Sequence, residues 1–161
     1  MNEYIKSLKD QDKLNISIDK TKKFNWKYNK IAGPCSVEGP DIIDIAHNIK
    51  QLGANAFRAG AYKPCTYPIL KETNGWKEGL REEGLKLLVK VNQETGLPIV
   101  TECMDVHMLD DILQVADVIQ VGTRNFQNYA LLDALGKTKI PVLLKRGTWG
   151  TIDEILGACE R

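Results

Sequence analysis

Charged side chains interrupt or end the apolar runs of this chain. The six positions are Arg58, Lys63, Glu102, Arg124, Lys145 and Arg146. A charge in a buried strand is costly unless it is paired, so core packing alone does not explain these residues. Four or five cations against a single carboxylate suit a small, densely anionic ligand that carries phosphate and carboxylate groups. The alternative is that the same residues form ion pairs with helix carboxylates at the rim of the fold.

Cys35 ends another apolar run, between a Gly-Pro pair and a Glu-Gly-Pro break. A thiol in this position is interpreted as a small buried hydrophobe, a metal ligand or a nucleophile. A nucleophile needs a histidine base, but His47 falls in a predicted helix and His107 follows the third apolar run. A zinc site formed by the three thiols of Cys35, Cys65 and Cys103 is a further alternative, although their spacing is irregular.

Strands that alternate with helices must position these residues. The predicted strands cover residues 31–35, 56–62, 98–103, 118–122 and 141–146, and the predicted helices cover 42–52, 82–95, 106–116, 127–135 and 152–160. This alternation predicts a parallel α/β sheet, because parallel strands need a helical crossover. The sheet is either open and doubly wound, or part of a (β/α)₈ TIM barrel truncated after about five βα units. In both folds ligands bind at the carboxyl ends of the strands, where the charged residues gather.

Composition excludes several classes of function. The 22 Lys and Arg nearly balance the 21 Asp and Glu, so no basic surface for nucleic acid is expected. No apolar run is long enough for a membrane span, and the first residues do not resemble a secretory signal. Four irregularly spaced cysteines indicate a reducing, cytoplasmic compartment. Residues 1–28 are predicted to be a polar extension, a solvated arm or an arm with a short helix at residues 4–8, and residues 29–161 form the barrel part.

Five motifs in order and spacing carry a family resemblance. They are AGPCSVEG (32–39), FRAGAYKPCT (57–66), PIVTE (98–102), ADVIQVGTRNFQN (116–128) and PVLLKRGTWGTIDE (141–154). With these motifs the chain resembles 3-deoxy-D-arabino-heptulosonate 7-phosphate (DAHP) synthases from Ile31 to about Arg161. The resemblance implies a (β/α)₈ barrel that condenses phosphoenolpyruvate with erythrose 4-phosphate and releases phosphate. This transferase reaction is the first step of the shikimate pathway, which leads to the aromatic amino acids.

The resemblance also implies roles for individual residues. Cys35 would ligate a divalent metal of the Mn, Fe, Zn or Co class, which acts as a Lewis acid on the aldehyde. The implied catalytic residues are Lys63, Glu102 and Lys145. The implied substrate-binding residues are Arg58, Lys63, Pro64, Thr66, Arg124, Lys145 and Arg146. These assignments include the positions at which the charge pattern already predicts an anion site.

Two departures from the family pattern limit what the resemblance implies. The family usually has Lys-Pro-Arg-Thr after the second strand, where the Arg and Thr grip the aldose phosphate, whereas this chain has Cys65 between Pro64 and Thr66. A thiol cannot replace a guanidinium as a phosphate ligand, although Lys71 or Lys77 would supply a substitute cation. The family's other metal ligands, a His, a Glu and an Asp, come from strands six to eight. We therefore expect an incomplete metal site, and association with a chain that carries the missing half or with a second copy.

Two alternative functions stay open. The 3-deoxy-D-manno-octulosonate 8-phosphate synthases share the barrel and the use of phosphoenolpyruvate, but they usually carry a Lys-Ala-Asn-Arg-Thr-Ser segment that YKPCTYP (62–68) does not match. An inactive half-barrel that acts only by association is the non-enzyme alternative. In a cut barrel, the side chains of Ile99 and Leu144 are expected to line the open inner layer.

Overall fold

The computed structural model describes residues 15–17, 23–25, 28–67, 69–70, 75–76 and 78–161. Strands β1 (Asn15–Ser17) and β2 (Lys23–Asn25) pair antiparallel within the predicted polar extension. The sequence did not predict this hairpin. The expected short helix at residues 4–8 lies outside the described residues, as do Lys71 and Lys77. The boundary between extension and barrel at residue 28 stays a prediction.

Five parallel strands form the central sheet. They are β3 (Ile31–Ala32), β4 (Ala56–Arg58), β7 (Ile99–Glu102), β8 (Val118–Val121) and β9 (Val142–Leu144). Their order in the sheet is the same as their order in the chain. The register places Arg58 opposite Val100 and Glu102 opposite Gln120. A second short hairpin, β5 (Ile69–Leu70) with β6 (Gly75–Trp76), follows β4.

Five helices follow the five strands. They are α1 (Ile42–Gln51), α2 (Arg81–Thr95), α3 (Leu109–Leu113), α4 (Tyr129–Gly136) and α5 (Ile152–Cys159). Local chemistry fixes several ends: Gly96 ends α2 in a left-handed conformation, and Thr151 and Glu154 form a capping box at the start of α5. Short 3₁₀ turns precede α3 (Val106–Met108) and α4 (Thr123–Asn125). Among the described residues, none of the helices has the length and apolarity to cross a membrane.

The strand order decides between the two predicted architectures. A doubly wound sheet reverses its strand order, which sends helices to both faces, whereas here the order runs without reversal. Right-handed crossovers then place every helix on one face. In agreement, residues from all five helices share one core cluster with Phe57, Ile99 and Ile119. The prediction of an α/β fold of the TIM-barrel type is confirmed, with five strands and their helices forming a half-barrel.

The strands divide the apolar residues into two layers. The outer layer lies under the helices and contains Ile99 and, partly buried, Leu144. The inner layer contains Ala56, Val100 and Val118, with Ile31 and Leu143 packed against them. The expectation that Ile99 and Leu144 line the inner layer is therefore wrong. Each lies next in sequence to an inner residue, and successive side chains in a strand point to opposite faces.

Candidate active site

The AGPC motif carries Cys35 past the end of β3. At Gly33 (φ +153°) a Cβ would overlap the backbone carbonyl of Arg58, so only glycine lets β3 pass this close to β4. Beyond β3 and β4 the two segments pair once more, at the parallel bridge between Ser36 and Gly60. Cys35 is exposed at this carboxyl edge, and it lines a cavity of about 130 Å³ together with Glu38 and Asp41 at the start of α1.

A hydrogen-bonded network crosses the inner face of the sheet. Arg58 Nε donates to Gln120 Oε1 at 3.1 Å, and Gln120 Nε2 donates to Glu102 Oε2 at 2.9 Å. Glu102 and Gln120 are almost fully buried, with 3% and 2% of their surfaces exposed. A buried carboxylate is tolerated only when hydrogen bonds compensate for lost water. The network therefore holds a carboxyl group and a guanidinium in fixed positions on three neighbouring strands.

Gly122 makes room for this carboxylate. It follows β8 directly, and a Cβ at this position would overlap Glu102 Oε1 and lie 3.1 Å from Glu102 Cδ. Its φ of −67° is open to any residue, so the requirement is for space and not for backbone freedom. The glycine of the QVGT stretch thus belongs to the site, although it carries no chemistry of its own.

The inner face opens into a cavity of about 440 Å³. Arg58 and Lys145 both line this cavity, beside Gln120 and Leu143, and Asn29 and Ile31 close its other side. Lys145 leaves β9 with its backbone N–H bonded to the carbonyl of Val121 at 3.0 Å. Arg146, the next residue, is exposed and lies outside the cavity lining. The structure therefore brings Arg58 and Lys145 together at one cavity and leaves Arg146 at the rim.

Three further predicted residues, Arg124, Pro64 and Thr66, contact one another beyond the carboxyl ends of β4 and β8. Arg124 Nη1 donates to the carbonyl of Pro64 at 2.6 Å, and Nη2 donates to Thr66 Oγ1 at 2.8 Å. Lys63, at the base of the same segment, is half-buried, and its backbone N–H donates to Glu78 O at 2.9 Å. Arg124 thus connects the end of β8 with the segment that follows β4.

The ion-pair alternative is not supported in the part of the chain that the structure describes. The ion pairs there join His47 to Glu94, Lys86 to Glu83, His107 to Asp105 and Arg161 to Asp133. None of them uses Arg58, Lys63, Arg124 or Lys145. These cations are held at the site by neutral hydrogen-bond partners or stay open to solvent. Their charges are therefore not neutralised by helix carboxylates.

The described residues do not form a metal centre. Within the described ranges no group of three or more His, Cys, Asp or Glu side chains is placed to hold a metal ion. Cys35 alone does not fit the family's divalent metal, which needs about four ligands. His107 is exposed beside Asp105, at 4.0 Å, and His47 contacts Glu94 of α2 at 3.4 Å. Neither contact involves Cys35, so the structure does not support either histidine as its base.

The alternative zinc site of three thiols is also not formed. Cys103 is buried, and its Sγ–H donates to the carbonyl of Asp105 at 3.3 Å. Burial raises the pKa of the Cys103 thiol to about 11, outweighing hydrogen bonding from the Asp105 backbone to the sulfur, which lowers the pKa. Because zinc binds the thiolate, this residue is a poor ligand and is a small core hydrophobe instead.

Sequence reasoning missed Gln120, the centre of the inner network. The sequence did contain a sign of its role, because VIQVG (118–122) has a single amide side chain in an otherwise apolar strand. A buried amide needs partners for its donors and its acceptor, so an amide in a central strand predicts polar neighbours on the same face. The two charged residues that it joins, Arg58 and Glu102, were both predicted as site residues.

Comparisons with known proteins show the family to which the chain belongs. The protein-family model of the DAHP synthetase I family matches residues 15–161. A phospho-2-dehydro-3-deoxyheptonate aldolase of Thermotoga maritima is 40% identical over 146 residues, which cover 90% of this chain and 41% of that protein. A 2-dehydro-3-deoxyphosphooctonate aldolase of Campylobacter jejuni is 32% identical over 120 residues, or 73% of this chain and 44% of that protein.

Solved structures show the same fold. The crystal structure of the Thermotoga maritima DAHP synthase has a TM-score of 0.77 at 39% identity, over 91% of this chain and 40% of that one. A truncated form of the Thermotoga maritima 3-deoxy-D-arabino-heptulosonate 7-phosphate synthase has a TM-score of 0.75 at 38% identity and covers 91% of this chain and 51% of that one. This chain therefore spans two fifths to one half of the length of these relatives. Since the family model matches residues 15–161, the chain belongs to the DAHP synthetase I family.

Proposed function

We propose that this chain provides the phosphoenolpyruvate-binding part of a DAHP synthase. The observation that carries the proposal is the convergence of Arg58 and Lys145 on one inner cavity, beside the buried carboxylate of Glu102. The full reaction joins C3 of phosphoenolpyruvate to the aldehyde carbon of erythrose 4-phosphate, adds water at C2 and releases inorganic phosphate. Both substrates carry a phosphate group, which matches the Lys and Arg side chains at the carboxyl ends of the strands.

Phosphoenolpyruvate fits the cavity by charge and by size. It carries a phosphate and a carboxylate on one small carbon frame, and about 440 Å³ is ample space for it. Guanidinium and ammonium groups bind both kinds of anion through charge-assisted hydrogen bonds. Gln120 keeps the guanidinium of Arg58 in place, so little ordering is left to be done when the ligand binds.

The residues of this chain would contribute positioning and electrostatic stabilisation. Arg58 and Lys145 would orient phosphoenolpyruvate so that C3 faces the aldehyde. Lys63, Lys145 and Arg124 would stabilise the charge of the departing phosphate. Glu102 acts through Gln120, whose amide it holds by accepting its N–H. Arg146 remains a proposed substrate contact at the rim, together with Pro64 and Thr66 on the segment after β4.

The proposal assigns no reaction step to the metal that the family resemblance implies. Cys35 is the proposed ligand, but among the described residues it has no companions that could complete a metal site. The metal and its identity thus depend on ligands beyond this set. Cys35 lies at the correct edge of the sheet to join such ligands, and its thiol is exposed.

Association with further strands is part of the proposal. Strands β3 and β9 each pair on one side only within the described sheet, and unpaired edges favour pairing with another chain. Val142 of β9 is partly exposed. We propose that a partner with additional strand-helix units, or a second copy, pairs at these edges.

A 3-deoxy-D-manno-octulosonate 8-phosphate synthase is the second candidate. The observation in its favour is the match to an enzyme of this type over 73% of this chain. The relative of this type is less similar, at 32% identity against 40%. We therefore retain erythrose 4-phosphate as the second substrate. We also propose a cytoplasmic location, because all four cysteines are free thiols, which is typical of a reducing compartment.

Activity of a completed barrel tests this proposal. The chain alone, with manganese and both substrates, is expected to form product at well below about 1 per second, since the aldehyde is not activated. A fusion to the remaining strand-helix units of the Thermotoga maritima enzyme should restore DAHP formation, and Lys145→Ala should abolish it. Lys137→Ala, an exposed lysine after α4, is the matched control. A folded fusion that forms no product, or that loses nothing in Lys145→Ala, would contradict the proposal.

A further inference from the structure

Arg124 makes the shortest side-chain connection between two parts of the candidate site. Its two terminal nitrogens donate to Pro64 O at 2.6 Å and to Thr66 Oγ1 at 2.8 Å, across 60 and 58 residues of sequence. A guanidinium is a planar fork, so it fixes the distance and the angle between its two acceptors. The end of β8 thereby sets the position of the segment after β4.

The segment after β4 is held at its base and near its tip. Its base is fixed where the backbone N–H of Lys63 donates to Glu78 O at 2.9 Å. Beyond that point Thr66 and Tyr67 are exposed, Tyr67 at 83%, so packing stabilises them weakly. The two bonds from Arg124 therefore restrain Pro64 and Thr66 beyond the point where packing does.

The contact leaves hydrogen-bond donors on both partners. A guanidinium has five N–H groups, and two of them are used here. The Thr66 hydroxyl accepts from Arg124, which leaves its own O–H to donate elsewhere. Both partners can thus keep their contact while they donate to a phosphate oxygen.

We propose that Arg124 and Thr66 form a latch that positions the segment Lys63–Thr66 for a phosphate group. Arg124 is then a positioning residue for this segment in addition to its proposed contact with phosphoenolpyruvate. The latch aims the free O–H of Thr66 at a neighbouring anion, which partly compensates for the uncharged Cys65 between its two acceptors. The identity of the anion rests on the proposed function, whereas the latch itself rests on the two hydrogen bonds.

Cys65 is a built-in reporter for the latch, because it lies between Pro64 and Thr66. Alkylation of the full chain by iodoacetamide, followed by peptide mass spectrometry, gives a separate rate for each thiol. We expect Cys65 to react about five- to tenfold faster in Thr66→Val, which removes the hydroxyl, and in Arg124→Lys, which keeps the charge but loses the fork. Thr66→Ser retains the hydroxyl and should keep the wild-type rate.

Two controls separate the latch from a general loosening of the fold. The exposed thiol of Cys35, at the same edge of the sheet, should react equally fast in every variant. Thr148→Val, an exposed threonine after β9, should leave the Cys65 rate unchanged. Wild-type Cys65 rates in both Thr66→Val and Arg124→Lys would overturn the proposal, as would an equal acceleration of Cys35.

Added phosphoenolpyruvate distinguishes the latch from the proposed function. If it slows Cys65 alkylation in the wild type and not in Thr66→Val, an anion bound at the site is strengthening the latch. If it changes no rate while the variants still accelerate Cys65, the latch stands and phosphoenolpyruvate is not the anion that it faces; binding at the inner cavity is decided separately by calorimetry. If the variants have no effect, the latch fails whatever phosphoenolpyruvate does.

Discussion

Replacing Gly122 with alanine is expected to displace the buried carboxylate of Glu102. The added Cβ would overlap Glu102 Oε1 and lie 3.1 Å from its Cδ. The backbone at Gly122 has an ordinary φ of −67°, so alanine meets no conformational penalty there. The collision is therefore steric, and it falls on a buried carboxylate that also accepts a hydrogen bond from Gln120.

The size of the effect follows from the surroundings of Glu102. Only 3% of the residue is exposed, and Gln120 Nε2 holds its other oxygen at 2.9 Å. Overpacking a core costs about 1–3 kcal/mol, and a lost hydrogen bond to a charged group costs about 1.5–3 kcal/mol. One displacement causes both losses, so they are not fully additive. We expect the free energy of unfolding to fall by about 2–4 kcal/mol.

Urea denaturation followed by circular dichroism measures this change. Gly157→Ala is the matched control, since Gly157 is exposed in α5 and a Cβ there meets nothing within 4 Å; it should gain about 0.5–1 kcal/mol from helix propensity. In a Glu102→Ala background the colliding group is gone, so Gly122→Ala should cost less than about 1 kcal/mol. A cost that persists in that background, or no cost in the wild type, would refute the steric reasoning.

Three further outcomes are expected. Gln120→Leu should lower the free energy of unfolding by about 1–3 kcal/mol, because it leaves the buried carboxylate of Glu102 without its donor, and calorimetry should show weaker phosphoenolpyruvate binding as Arg58 loses its support. Thr151→Ala should lower the urea midpoint by removing about 1 kcal/mol of capping, and an unchanged midpoint would contradict the capping box as a stabiliser. Burial raises the pKa of Cys103 in the folded protein from its ordinary value of 9.0 to about 11, so its stabilisation is present below about pH 9 and is lost as the pH rises towards 11. Cys103→Ala should therefore show a smaller loss of stability over that range than the wild type.

The order of the elements could be predicted from the sequence, because each apolar run and each amphipathic stretch is a local pattern. The lengths of the strands could not. The predicted strand at 56–62 ends in the structure at Arg58, although Ala59 and Ala61 are fully buried. These residues pack in the core, and beyond Arg58 the pairing with neighbouring strands is reduced to single hydrogen bonds and the bridge between Ser36 and Gly60. An apolar run therefore measures burial and not strand length.

The positions of the charged site residues could be predicted because a charge in a buried strand is locally conspicuous. Their partners depended on contacts distant in sequence. In the sequence, Gln120 is a single polar residue with no visible partner. Only the strand register shows that it lies opposite Glu102. The assignment of Ile99 to the inner layer was wrong for a similar reason. A strand buried on both faces has a continuous apolar pattern, which does not reveal which residues face inward.

Titration calorimetry of the chain with phosphoenolpyruvate tests the central claim most directly. Lys145 lines the inner cavity and forms no ion pair among the described residues, so Lys145→Gln removes one charge without a buried partner being left behind. We predict that the wild type binds phosphoenolpyruvate, that Lys145→Gln weakens binding about tenfold, and that Lys137→Gln, an exposed lysine after α4, leaves it unchanged. No binding by the folded wild-type chain, or equal affinities in Lys145→Gln and Lys137→Gln, would contradict the account.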